Sequence, residues 1–478
     1  MRKVESTQCE LGGTFIRDIV INPKSRDDIP ALLLGLQHLY LDVEKRKKIF
    51  QLLDAQVNPK ARNDTGRPGM DLWRILVLAV LKQGLQCDYD RITHIANYDS
   101  LVRQMMGHGM LEHTYEYQTV VDNIRLLTPE LLAEIGRLVT ESGHEVARKK
   151  PGEPLRGRAD SFCVLTDVHY PTDANLLWDA MRCTVRTAAS LARSLDLRGW
   201  RQHQHITRRI RQRFNRVRTS KQMKNSPQQV TEYLSECQQH LKRAEGTLKE
   251  VETLLLSPVQ QATAIELEGY IQHAHRQLDQ LARRVISGEK IPHEEKVFSI
   301  FQTHTRWIAK GKAGVSQELG VPVCVVEDQY RFILHHRIMW DGGDVDHAVP
   351  LIAEARQRFP DLRLCSFDRG FHSPANQLAL GEHLQGCALP KKGYRSAAVA
   401  ARESQPWFQA ARQQHPGVES AINHLEHCGL DRVRDHGRRG FARAVALSVL
   451  AANLKRLGRL VRDQQRRELA RRQRLRAA

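Results

Sequence analysis

The chain has 478 residues, enough for two or three domains, and 41% of them are hydrophobic, enough for a real core. Its 73 Lys and Arg against 54 Asp and Glu leave a formal charge of +19, which points to a polyanionic partner, of which nucleic acid is the commonest. Nine scattered cysteines with no C-x-x-C pair argue against a zinc ribbon or a disulfide framework and fit a reducing cytoplasm.

The chain starts with MRKVESTQCELGG, which has no apolar signal core. The most apolar run, DLWRILVLAVLKQGL (71–85), is too short and too interrupted to span a bilayer and reads as a buried helix. The expectation is a cytoplasmic protein, associated with the nucleoid when active, with no membrane partner.

Residues 1–150 read as an all-α N-terminal domain. The segment 27–57 places Leu33, Leu36, Tyr40 and Val43 on one helical face. Helical patterns follow at 71–85, 88–109 and 117–143, and Thr128-Pro129-Glu130 has the cap-and-proline signature of a helix start. Short helices joined by Asp/Gly turns are compatible with a helix-turn-helix. The Pro/Gly/basic stretch ARKKPGEPLRGR (147–158) reads as a linker.

Past it, Phe162, Cys163, Val164, Leu165 and Val168 make a strand, and Pro171-Thr172-Asp173 starts a helix. The run 198–226 then carries ten Lys/Arg and no acid, with Trp200, Phe214 and several His interleaved. That mixture favours contact with a phosphate backbone over a plain solvated face, and Arg208, Arg209, Arg211 and Arg213 are its candidate DNA contacts. Val230, Leu234, Cys237, Leu241, Ala244, Leu248, Val251 and Leu255 recur at alternating four and three, Ser257-Pro258 breaks the run, and Ala264 to Val285 repeats it. The spacing predicts an antiparallel helical hairpin packed as a short coiled coil.

From 293 the period changes. Strands are expected at 296–301, 321–328 and 330–340, the last two as a hairpin. A helix at 345–360, a strand at LRLCSFD, a helix at 373–383 and a strand at 384–390 make a β-α-β-α-β series, which implies parallel strands in one sheet. Helices at 417–430 and 441–461 and a basic tail close the chain.

The chemistry sits in acids placed where packing does not call for them. Asp160 opens the first strand after the linker. Asp368 ends a central strand, where α/β proteins place chemistry. Glu419 lies beside the apolar face formed by Val418, Ile422 and Leu425. Three carboxylates converging without partners repel one another unless they share cations, and oxygen ligands without thiolates select Mg²⁺ or Mn²⁺. Two such ions are the usual device for in-line phosphoryl displacement, which suits a substrate with phosphodiester bonds. Lys310 and Lys312 in AKGKAG, and Lys391 and Lys392 in PKKGYR, lie in loops beside strands and are candidate phosphate contacts.

The blocks ADSFCVLTDVHYPTDANLLWDAMR, LCSFDRGFHSPANQ and GVESAINHLEHCGLDRVRDHGRRGFARAVALSVLAANLKRLGR, with the stretch HEEKVFSIF through FILHHRI, resemble the DDE transposases of bacterial insertion sequences, in the ISNCY group. The resemblance covers essentially the whole chain. It implies a ribonuclease-H-like mixed sheet, an α/β fold, holding an Asp-Asp-Glu triad at Asp160, Asp368 and Glu419 with two Mg²⁺ or Mn²⁺ ions. Asp167 competes for the first place and Glu426 for the last. His169, Tyr170, Arg369 and His372 flank the acids without an assigned role. The implied layout is a core divided between 151–195 and 291–460, interrupted at 196–290 by the basic run and the hairpin, and ending in a basic tail at 461–478. The implied activity is metal-dependent hydrolysis and strand transfer at the terminal inverted repeats of an element, on double-stranded DNA and into target DNA, by a homodimer. The rival expectations are a non-catalytic DNA-binding derivative and a metal-dependent nuclease without strand transfer.

Overall fold

The computed structural model describes residues 3–5, 12–57, 69–109, 113–219, 227–309 and 317–477. The chain is a mixed α/β protein whose seven strands belong to one mixed sheet, and it divides into two compact units, Met1–Asp167 with Gly320–Ala478, and Val168–Leu319.

The first unit opens with seven helices: α1 (Asp28–Leu41), α2 (Val43–Val57), α3 (Leu72–Gly84), α4 (Tyr89–Tyr98), α5 (Ser100–Met105), α6 (Tyr117–Ile124) and α7 (Pro129–Val146). Side-chain caps start several of them. Asp27, Asp88, Asp99 and Thr128 each accept a backbone N–H of the first turn, satisfying donors that the helix itself leaves unpaired. The single helical face expected across 27–57 is broken at Asp42, whose carboxylate takes the Lys45 amide and ammonium. Leu33 and Leu36 are buried, while Val43 is exposed.

Strand β1 (Leu155–Thr166) follows. It begins inside the stretch that reads as linker, because a parallel neighbour holds it from Leu155 and an antiparallel one from Arg158. It pairs antiparallel with β3 (Gln317–Glu327), Asp160 opposite Val325, and parallel with β5 (Leu362–Phe367), Ala159 beside Phe367.

The second unit is helical: α8 (Asp173–Ser194), α9 (His203–Thr219), α10 (Pro227–Val251) and α11 (Pro258–Val285), then β2 (Arg306–Ala309). The expected hairpin is present as α10 and α11, with Ser257 and Gln260 forming a capping box. It is not a free-standing coiled coil. Val230, Cys237, Leu241, Leu267 and Leu281 share one core with Leu177, Met181 and Ala188 of α8 and with Ile210 and Phe214 of α9. No strand forms at 296–301. Ile300 is buried in the helical core and Phe298 packs on Trp307, ring centroids 5.5 Å apart, so the apolar side chains of that run serve packing rather than a ladder.

The chain then completes the first unit with β3 (Gln317–Glu327), β4 (Ile333–Ile338), α12 (Asp344–Arg358), β5 (Leu362–Phe367), α13 (Pro374–His383), β6 (Gly386–Ala388), α14 (Ala397–Glu403), α15 (Pro406–Gln414), α16 (Gly417–Leu425), β7 (Arg432–Val433) and α17 (Gly437–Ala477). Across the sheet β4, β3 and β1 are antiparallel neighbours, and β5 and β6 continue parallel to β1. One face packs on α12 through Leu351, Ile352 and Ala355, and the other on α16 and α17 through Val418, Leu425, Phe441 and Val445.

Helix α17 also joins the N-terminal helices to this unit. Leu447, Leu450 and Leu454 share a core with Leu32, Leu36, Leu76 and Leu138. The backbones meet closely: a Cβ on Gly458 would lie 1.8 Å from the Ala31 carbonyl oxygen, and one on Gly35 would lie 2.5 Å from that of Leu454. The boundary expected near residue 150 is therefore not a domain boundary in the structure, and α8 belongs with the helical insertion rather than with the sheet. Among the described residues no helix is long and apolar enough to cross a membrane.

Candidate active site

The sheet sets the acids side by side. β1 and β5 run parallel with Arg158 beside Ser366 and Ala159 beside Phe367, so one further step along each strand brings Asp160 alongside Asp368. Asp160 is half-buried on the face of β1 that α16 covers, and its Oδ1 accepts the Ser161 amide at 2.7 Å. Asp368 is exposed where β5 gives way to a turn at Arg369–Phe371. Its backbone carbonyl accepts the Phe371 N–H, but its carboxylate makes no capping bond. Glu419 is exposed in the first turn of α16. None of the three forms an ion pair with a described residue.

Burial pushes the Asp160 carboxyl up to about 6, opposed by the Ser161 amide and reinforced by the negative charges of Asp368, Asp344 and Glu419. The charges of Asp368, Asp344 and Glu419 therefore all reach Asp160 at one end of the sheet. Asp344 is absent from the sequence reading. It is the first residue of α12, and its Oδ1 accepts the Ser161 hydroxyl at 2.6 Å. In the sequence it looks like any acid placed to favour a helix N-terminus, and only the sheet register brings it to Asp160.

His415, also unanticipated, sits just before α16. Its Nδ1 is 3.0 Å from the Ser366 hydroxyl. Burial lowers its pKa, against the pull of Asp368 and Glu419 and with the push of Arg158.

The competing acids lie elsewhere. Asp167 is at the far end of β1, roughly 20 Å along the strand from Asp160 at the usual rise per residue. There its amide donates to Val433 and its carboxylate is 3.5 Å from Arg432. Glu426 opens the π turn that ends α16, roughly 10 Å along the helix from Glu419.

The basic candidates divide. On α9, Arg208 and Arg211 are exposed, whereas Arg209 is tied to Glu236 at 2.7 Å and Arg213 to Glu232. Trp200 and Phe214 do not interleave with them on the surface. Both are buried: Trp200 donates to the Thr247 hydroxyl and Phe214 stacks on Trp178. Lys391 and Lys392 follow β6. The parallel pairing of Ser366 with Ala388 puts their loop at the same edge of the sheet as Asp368. Lys391 and Arg402, after burial itself, lower the pKa of His372, so that edge is basic around the acids. Lys310 and Lys312 lie outside the described residues. His169 is 3.3 Å from Asp179 and Tyr170 meets Trp307 edge-on, which accounts for both within the helical unit.

Among the described residues no group of three or more His, Cys, Asp or Glu side chains is arranged to hold a metal ion as the side chains stand. The donor chemistry is nevertheless that of a hard-cation site: mutually repelling carboxylates, two of them exposed and without an ion-pair partner, and no thiolate. Comparison with models of protein families, with curated proteins and with solved structures finds no match.

Proposed function

We propose that the chain is a DDE-type DNA transposase, with a ribonuclease-H-like catalytic unit that cuts double-stranded DNA at element ends and joins them to target DNA. The observation that carries this reading is the convergence of Asp160, Asp368 and Glu419 from two adjacent parallel strands and a covering helix. Three antiparallel strands, β4, β3 and β1, extended by the parallel β5 and β6, with acids on β1, just after β5 and on α16 beyond β6, support the ribonuclease-H-like assignment.

Asp160, Asp368 and Glu419 would hold Mg²⁺ or Mn²⁺. Bound there, two such ions supply activation of the attacking oxygen and stabilisation of the leaving one. The chain's own residues do the positioning. Ser161 ties Asp344 to the strand that carries Asp160, fixing α12 against the acids. Lys391 and Lys392 offer cations to phosphates entering at the Asp368 edge. Arg208 and Arg211 offer a separate, sequence-independent grip on the backbone. A homodimer pairing two ends follows from the same reading.

The test incubates the full chain with Mg²⁺, a labelled duplex carrying the inverted repeats that flank its gene, and a target plasmid. Joining of label to plasmid by the wild type, lost in Asp368→Asn, is the expected result. Cleavage without joining would identify a nuclease, and binding with neither would identify a non-catalytic DNA-binding protein.

A further inference from the structure

A cavity of about 180 Å³ lies between α16, α17 and the β3–β4 turn. Four guanidinium groups line it, from Arg158, Arg331, Arg456 and Arg459, against a single carboxylate, Glu327. That carboxylate is engaged by Arg158 and feels the charge of Arg331, and Asp328 and Asp463 act on Arg456 from outside the lining, but the lining itself has more guanidinium groups than carboxylates. Arg459 reaches only Asp28, at 4.0 Å. Arg456 donates to the Tyr330 carbonyl at 3.0 Å, a neutral partner. Arg331 has neither an ion pair nor a side-chain hydrogen bond with any described residue. Burial first, and then the charge of Arg331, pull the Arg456 guanidinium below its usual value.

Two further observations bear on the lining. Arg331 holds φ at +66°, a conformation that costs a non-glycine residue free energy and persists where the surroundings impose it. Here the β3–β4 turn imposes it, since the Arg331 amide donates to the Asp328 carbonyl and the Phe332 carbonyl accepts the Asp328 amide, and the same turn leaves the Arg331 side chain lining the cavity. The Nε2 of His424, which lines the same cavity, and the Nε of Arg158 are both buried without a hydrogen-bond partner. Buried polar atoms left unpaired are costly, and ligand oxygens would accept from the Arg158 Nε–H and, in the tautomer that carries its proton there, from the His424 Nε2.

We propose that this cavity binds a phosphate group. Planar guanidinium forks match phosphate oxygens two at a time. A carboxylate could engage one or two of these forks, whereas a phosphate has oxygens for several. The wall opposite is already satisfied: the Asn453 side chain accepts the Ile333 amide and donates to the Ile333 carbonyl and to Thr140. Specificity therefore rests on the arginines. Gly417 and Ser420, which line the cavity, flank Glu419 on α16, so a phosphate held here would sit against the helix that carries one of the proposed catalytic acids. The proposal does not depend on the transposase reading, because the cavity is cationic whether or not the chain cuts DNA. The phosphate belongs either to a small free ligand or to a DNA backbone.

Titration calorimetry of the full chain with inorganic phosphate and with pyrophosphate, beside salt-dependent binding of a short duplex, separates these sources. The variants are Arg331→Gly, which removes the guanidinium and places glycine where φ is positive, and Arg459→Gln. Lys249→Gln, exposed on α10 and outside the basic run 198–226, is the control. The expected result is that both variants weaken binding at least about tenfold, as loss of a charge-assisted fork should, while the control does not. A loss confined to pyrophosphate assigns the cavity to a free phosphate ligand. A loss confined to the duplex, with a salt slope shallower by about one contact, assigns it to a backbone phosphodiester. Failure of the wild type to bind either probe, or unchanged affinity for both in the two variants, overturns the proposal whatever the joining assay gives.

Discussion

Gly143→Ala turns the union of the N-terminal helices with the sheet into a question of sign. In a helix whose face is free, alanine in place of an interior glycine stabilises by about 1 kcal/mol. Gly143 lies in α7 against Phe332, which precedes β4, and a Cβ there would stand 2.0 Å from Cζ of that ring and 2.5 Å from Cε1. Carbon atoms at rest are about 3.5–4 Å apart, so the ring or the helix must give way by more than 1 Å. Neither has room. Phe332 is completely buried, its amide donates to Asp328 at 3.0 Å, and its carbonyl accepts the Asp328 amide at 2.9 Å. Forcing a methyl into such a contact costs about 1–3 kcal/mol, and the upper half of that range applies here. After the propensity gain, a net loss of about 1–2 kcal/mol remains. Urea unfolding of the full chain measures it as a lower midpoint at unchanged slope. Combining Gly143→Ala with Phe332→Leu should recover part of the loss, because the two sites are in contact and do not add. If Gly143→Ala alone is as stable as the wild type or more so, α7 does not rest on the β3–β4 turn, and the first 150 residues form a domain apart from the sheet.

Other outcomes follow from the site. Asp368→Asn and Glu419→Gln should each lower DNA joining by about 1,000-fold or more, the equivalent of several kcal/mol of lost charge stabilisation, while Asp167→Asn and Glu426→Gln stay within a few-fold in the same assay. Asp344→Asn should weaken joining by about 10–100-fold, the usual scale for groups that orient a metal's ligands, and higher Mg²⁺ should restore part of it. Arg208→Gln and Arg211→Gln should each flatten the salt dependence of duplex binding by about one contact, whereas Arg209→Gln, already tied to Glu236, should change it little. Burial pushes the Glu327 carboxyl up to about 7 despite Arg158. An acid held above its usual value gives stability that is present at low pH and lost as the pH rises through about 7. Chemical unfolding between pH 5 and 8 should therefore show a decline that Glu327→Gln reduces.

What the sequence made legible, and what it hid, follows from where each residue's partner lies. The hairpin of β3 and β4 and the parallel run through β5 and β6 are visible because their apolar residues need a sheet to bury both faces. The run 296–301 has the same composition, but its apolar side chains found helices to pack on before they found a strand to pair with. β1 starts at Leu155, seven residues before Phe162 opens its apolar stretch, because Arg156 and Gly157 are held by β5 and Arg158 by β5 and β3 rather than by their own propensity. On α9 the charges drew attention from Ile206, Ile210, Phe214 and Val217, whose spacing of four, four and three was the better guide to where the aromatic would go.

The acids obey a sharper distinction. Asp27, Asp88 and Asp99 each stand before a helix and each spend a carboxylate oxygen on an amide two or three residues ahead. Asp368 also stands before a helical turn, but that turn is closed by its backbone carbonyl, and its carboxylate is left to solvent and to Asp160. Position alone does not separate an aspartate that caps from one that does not; whether a backbone donor meets its oxygens does. For Asp344 the donor is a hydroxyl on another strand, a partnership that exists only once β1 has been laid against α12. A residue of that kind stays hidden until the fold is known, even when its neighbours in the site can be read directly.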